Sequence, residues 1–116
     1  MKIIPIENVK KTDVDMEGAS GVTKQLPIGS GDDSPSYSFR VFSVKPGGHT
    51  PHHSHPFEHL NYVISGRGAV VDEAGKETPV STGDFGLVHP GETHQFRNTS
   101  DTEDLVFLCA VPKEYE

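Results

Sequence analysis

The sequence predicts an all-β domain of the sandwich or barrel kind, and three observations carry that expectation. Twelve glycines and nine prolines fall at intervals between short apolar runs, which is the punctuation of strands and turns. The runs recur about ten residues apart, as in sandwiches and barrels. Helical periodicity is weak along the whole chain.

Taken in order, the first 35 residues carry one strand, Gly21 to Leu26, and then a loop rich in Gly, Ser and Asp up to Pro35. Tyr37 to Val44 is rich in β-branched and aromatic residues, and Pro46-Gly47-Gly48 is expected to stop it. His59 to Ser65 is a second strong strand, and Gly66-Arg67-Gly68 after it reads as a tight hairpin. Ala69 to Val71 turns through Asp72–Lys76 into Glu77 to Val80. Gly83 to Val88 is closed by His89-Pro90-Gly91. Asp104 to Val111 is nearly all apolar, as a strand buried on both faces would be, and Pro112 ends it.

At 116 residues the chain is sized for one domain with a modest core, which a second copy would help to cover. Hydrophobic residues make up 33% and mean hydropathy is −0.47, so the composition is that of a soluble protein. The net charge is −7, and apart from Lys10 and Lys11 the basic residues are scattered. No basic stripe exists for a phosphate backbone, which argues against a nucleic-acid partner. No apolar run approaches the ~20 residues of a membrane span, and Pro5 and Glu7 interrupt the start before a signal peptide develops. One cysteine, Cys109, excludes an internal disulfide framework. These features together predict a cytoplasmic protein whose partner is a small molecule.

The histidines carry the chemistry. Seven are present, and five lie between His49 and His59. In an extended strand residues i and i+2 share a face, so His53 and His55 can reach one metal ion. Pro56-Phe57 allows a bend, and His59 begins the next strand on the same parity. His94 follows Pro90-Gly91 by a short turn. Three short segments thus deliver four imidazoles to a compact site. His52 has the wrong parity, and His49 and His89 read as solvated residues.

The segment from Gly48 to Gly66, with His53-x-His55, a later ligand and a closing glycine, resembles the first motif of the cupins. Gly83-Asp84-Phe85 through Pro90-Gly91-Glu92-Thr93-His94-Gln95-Phe96-Arg97-Asn98 resembles the second, with His89 in place of the usual first proline. The resemblance covers residues 36–112, with 1–35 as an N-terminal arm and edge strands of the same single domain, 1–116. It implies a double-stranded β-helix, or jelly-roll, barrel and a homodimer. Most cupins place a glutamate at the third ligand position; here the count from His55 and from Gly66 lands on His59, with Glu58 as the alternative. The chain is therefore similar to the small four-histidine cupins, several of which bind manganese.

Four neutral imidazoles leave the full charge of a divalent ion in place, which favours anionic ligands and the lower oxidation state. Imidazole suits Mn and Fe, and also Zn, Ni, Co and Cu. The resemblance directs Phe107 and Cys109, with Leu105, into the barrel near the metal, and Phe96 joins them by parity with His94. Arg40 is a candidate for a substrate carboxylate or a snorkelling surface residue. Three functions follow: a dioxygenase-like oxidoreductase, a metal-dependent isomerase or lyase using Glu58, Tyr62 or a spare histidine, and a non-catalytic binding module.

Overall fold

The computed structural model describes every residue except Pro35, so the close of the predicted Gly/Ser/Asp loop lies outside the described residues. Among the described residues there are nine strands: β1 (Thr12–Asp13), β2 (Ser20–Ile28), β3 (Tyr37–His49), β4 (His59–Ser65), β5 (Arg67–Val71), β6 (Glu77–Ser81), β7 (Phe85–Val88), β8 (Gln95–Asn98) and β9 (Leu105–Pro112). Short 3-10 turns stand at Ile6–Asn8, Ser30–Asp32 and Lys113–Tyr115. Among the described residues no helix is long and apolar enough to cross a membrane.

The strands pair antiparallel in the order β6-β5-β8-β3-β9-β4-β7, with β2 added to β3 and β1 to β2. The sheet curls so that alternate residues turn into one interior, giving the jelly-roll barrel expected from the sequence. Period-2 alternation decides which side chains enter it. Phe42 and Val44 of β3 stand in register with Phe107 and Leu105 of β9. Val63 of β4 lies opposite Phe107 from the other side. These residues, with Val22, Phe96, Cys109 and Val111, form the core.

Three strand ends depart from the sequence expectation. β3 does not stop at Pro46-Gly47-Gly48 but runs on to His49, which pairs with Arg97 of β8. A register shift against β2, between Val22↔Val44 and Ser20↔His49, absorbs the extra residues as a bulge. Gly48 permits it, because a Cβ there would stand 2.5 Å from the Ser20 carbonyl oxygen. His49 is therefore the last residue of a strand.

The Gly66-Arg67-Gly68 turn does not make a hairpin. β4 pairs with β7 and β9, whereas β5 pairs with β6 and β8, so the turn carries the chain from one wall of the barrel to the other. Gly66 has φ +87°, and a Cβ there would meet the Asp104 carbonyl oxygen at 2.2 Å. The turn after β5 is the hairpin predicted, with Asp72 Oδ1 accepting from the Ala74 and Lys76 amides.

β9 also differs from expectation. It extends through Pro112, and only its inner face is sealed throughout: Leu105, Phe107, Cys109 and Val111 are buried, while Val106 and Leu108 remain partly accessible. The N-terminal arm, largely illegible in the sequence, is tied to β2 by Gln25, whose Nε2 donates to the Ile6 and Val9 carbonyls at 3.0 and 2.8 Å.

Candidate metal centre

The four predicted histidines converge. His53 and His55 are not in a regular strand, as their spacing suggested, but in the irregular segment between β3 and β4. One antiparallel bridge, His53↔His94, holds this segment, with backbone bonds of 3.2 and 2.9 Å. His94 sits at the entry to β8, and His59 is the first residue of β4. The ligand nitrogens of His53, His55 and His94 all lie within 4.8 Å of one another, a triad able to hold a metal ion. His59 stands beside it, its Nε2 3.1 Å from His94 Nε2 and its ring 5.2 Å from that of His55.

The outer nitrogens settle the tautomers. His55 Nδ1–H donates to the Phe57 carbonyl at 2.8 Å, and His94 Nδ1–H to the Glu92 carbonyl at 2.9 Å. His59 Nδ1–H donates to Asn61 Oδ1 at 2.7 Å, while Asn61 Nδ2 donates to the Leu108 carbonyl. Each Nδ1 therefore keeps its proton, and each Nε2 turns a lone pair inward. This is how metal-binding imidazoles are oriented by their outer partners.

Two bare lone pairs 3.1 Å apart, on His59 and His94, repel unless a positive charge stands between them. Nitrogens bound to one ion at about 2.0–2.1 Å come to about 3 Å from each other. The donor set thus fits a divalent transition metal. Burial supports the same state: it holds His59 down to about 3, with Asn61 opposing the shift, and lowers His53, His55 and His94 as well. Neutral imidazole is the metal-binding form.

The remaining candidates divide. Arg40, Phe96, Phe107 and Cys109 line the same cavity as the four histidines, with a volume of about 250 Å³. Leu105 lies deeper, fully buried in the core. Cys109 pairs with Arg40 on one side and Asn61 on the other, a row running across β3, β9 and β4. Arg40 Nη2 donates to Cys109 Sγ at 2.9 Å, and the guanidinium lies 5.1 Å from the centre of the Phe42 ring, so it does not snorkel outward. Burial pushes the Cys109 thiol up, against the pull of Arg40. Glu58 is half-buried, and Tyr62 packs against Phe85 with the rings tilted, on the parity opposite to His59 and Asn61; neither is among the cavity's lining residues. His52 binds the Asp72 carbonyl at the surface, and His89 contacts Glu92 there.

Several site residues were not singled out from the sequence. Asn61 was legible in principle, since it shares parity with His59. Phe57 stacks on His55 at 3.8 Å, and Tyr115 stacks on Phe57 at 4.1 Å, covering one side of the site. Tyr115 lies in the C-terminal turn, which Glu116 ties down by accepting from the Ser30 amide at 2.8 Å and from the Ser38 hydroxyl. No local pattern reports that contact.

Known proteins show the same architecture. A family model described as "Cupin domain" matches residues 40–111. An oxalate-binding protein of Thermotoga maritima is 34% identical over 74 residues, 63% of this chain and 60% of its own length. The chain thus spans less than two thirds of that relative. The polyketide cyclase RemF of Streptomyces resistomycificus superposes with TM-score 0.90 at 30% identity, covering 97% of this chain and 79% of the cyclase. A protein described as a predicted oxalate decarboxylase, also from Thermotoga maritima, superposes with TM-score 0.83 at 24% identity, covering 97% and 99% of the two chains, and speaks for the fold alone.

Proposed function

The chain belongs to the cupin domain family, and on that premise we propose that it is a metal-dependent enzyme that oxidises a small organic anion at a mononuclear centre. His53, His55, His59 and His94 would hold the ion. Mn or Fe would supply Lewis acidity and redox capacity there. The observation that carries the reading is the pairing of inward-facing imidazoles with a cavity whose lining residues include no Asp or Glu.

The protein's own residues then have separate tasks. The Phe57 and Glu92 carbonyls and Asn61 keep the Nε2 lone pairs aimed at the centre. Phe42, Phe96 and Phe107 exclude water from the reacting region. Arg40 provides the positive charge that orients an anion. Besides the histidines and Arg40, the titratable groups lining the cavity are Cys109 and Tyr115. The thiol is held protonated, so proton abstraction by a side chain is poorly served. Oxidation with O2 needs no such base, and this favours it over isomerase or lyase chemistry.

A second reading is ring closure driven by Lewis acidity alone, favoured by the likeness to the polyketide cyclase. Oxygen uptake by the metal-loaded protein, measured across a panel of small aromatic and aliphatic acids, tests the choice. The oxidase reading requires turnover that stops without O2. Turnover that persists anaerobically supports the second reading, and no turnover with either arm leaves a binding module and overturns both.

We also propose a homodimer. Leu60, Ile64, Phe85 and Leu87 are exposed on the outer face of β4 and β7, and a second copy is the occupant that would cover them.

A further inference from the structure

Arg40 is the feature that the fold does not explain by itself. Its Nη2 meets only Cys109 Sγ, a weak acceptor. Its Nε is buried and has no hydrogen-bond partner among the described residues. No Asp or Glu is among the residues lining the cavity it enters. A guanidinium drawn into an apolar pocket without a counter-charge is unfavourable, because it loses water and gains no anion in return. Its charge is also felt by His55 and His59, where it opposes protonation. The neutral imidazoles offer it no compensation.

The walls have a definite shape. Phe107 stacks on Phe96 at 4.2 Å and 16°, and on Phe42 at 5.5 Å and 29°. The Tyr115–Phe57–His55 stack contributes further aromatic surface to the same cavity. The volume of about 250 Å³ suits a substituted single ring better than a two-carbon dianion. Flat rings are the natural lining for a flat guest, through offset or edge contacts.

We infer that the cavity selects a planar aromatic carboxylate, its carboxylate on the Arg40 guanidinium and its ring among Phe42, Phe96 and Phe107. The inference rests on the functional reading only for its location, since it names the substrate class of that same pocket. The carboxylate accepts from the two Nη groups, the two-point contact that a guanidinium makes with a planar anion. The ring then reaches from Arg40 toward the four histidines. A smaller anion such as oxalate satisfies Arg40 but leaves the rest of the aromatic-lined cavity unfilled.

The test is calorimetric titration of the full chain, in metal-free and Zn-loaded forms, with benzoate, benzamide, acetate and oxalate. Benzoate should bind most tightly, and Arg40→Met should weaken it about tenfold or more, as for lost hydrogen bonds to a charged group. Arg40→Lys keeps the charge without the planar fork and should fall between. Circular dichroism of both variants separates lost binding from lost folding. Benzamide matching benzoate, or Arg40→Met and Arg40→Lys both binding like wild type, would overturn the carboxylate assignment. Oxalate or acetate outranking benzoate would overturn the aromatic one. Benzoate binding that depends on Arg40 in a chain that takes up no metal sustains this inference while the functional reading falls. Metal uptake with benzoate binding indifferent to Arg40 does the reverse.

Discussion

At the scale of single residues, the site is governed by which imidazole nitrogen carries the proton. The histidines themselves were legible from spacing, because ligand residue types are rare enough to stand out. Their outer partners were not, because two of the three acceptors are backbone carbonyls, of Phe57 and Glu92, which any residue can supply. The side-chain partner, Asn61, gives a direct test. Asn61→Leu removes the acceptor for His59 Nδ1–H, and metal affinity should fall about 10- to 100-fold, as for other outer-partner losses; a chelator competition reads this, and unchanged affinity would reject the role. Protonation gives a second. The folded, metal-free protein keeps His59 neutral down to about 3, whereas in the unfolded chain it titrates near 6.5. Its contribution to stability is therefore complete above pH 6.5 and is lost as pH falls from there toward 3. Urea midpoints of the metal-free protein should decline across that window, with a slope of up to about 1.4 kcal/mol per pH unit from this residue. A flat profile between pH 6.5 and 4 would show that His59 is not held neutral.

At the scale of elements, the strands were legible where alternation is local, and their connections were not. β4 matches its predicted span, His59 to Ser65, because His59, Asn61 and Val63 alternate inward and a glycine follows. The Gly66 turn misleads for a physical reason. Glycine reports a backbone need but does not say whether the chain folds back or crosses to the other wall, and here the determinant is the close approach of Asp104. The same limit applies to Gly48, whose role depends on Ser20 in a distant strand. Steric need can be separated from backbone need. Gly83 has φ +95° and open space within 4 Å of where a Cβ would stand, so Gly83→Ala should cost only about 1 kcal/mol. Gly66→Ala adds a backbone clash and should cost more than about 2 kcal/mol. Denaturant unfolding of the two variants checks the ordering, and equal losses would mean that the Gly66 crossing is not as tight as described.

At the scale of the whole molecule, the barrel brings distant segments to one cavity: β3 supplies Arg40, β4 His59, the following walls His94 and Cys109, and the C-terminal turn Tyr115. The sequence made the histidines and the inward phenylalanines visible, but the Arg40–Cys109 contact joins residues 69 positions apart and exists only once β3 and β9 are in register. The exposed apolar face on β4 and β7 predicts a dimer, twice the 12.6 kDa chain, by sedimentation; a monomer at micromolar concentration would leave that face unexplained. The oxidation proposed for the cavity depends on the metal centre, and elemental analysis of the untagged protein beside His59→Ala probes it without intermediaries. A mononuclear site should hold about one equivalent of a divalent transition metal per chain, lost or sharply reduced in the variant. A chain that takes up no metal even after reconstitution with Mn²⁺ or Fe²⁺, or a His59→Ala variant that keeps its full complement, would contradict the four-histidine centre.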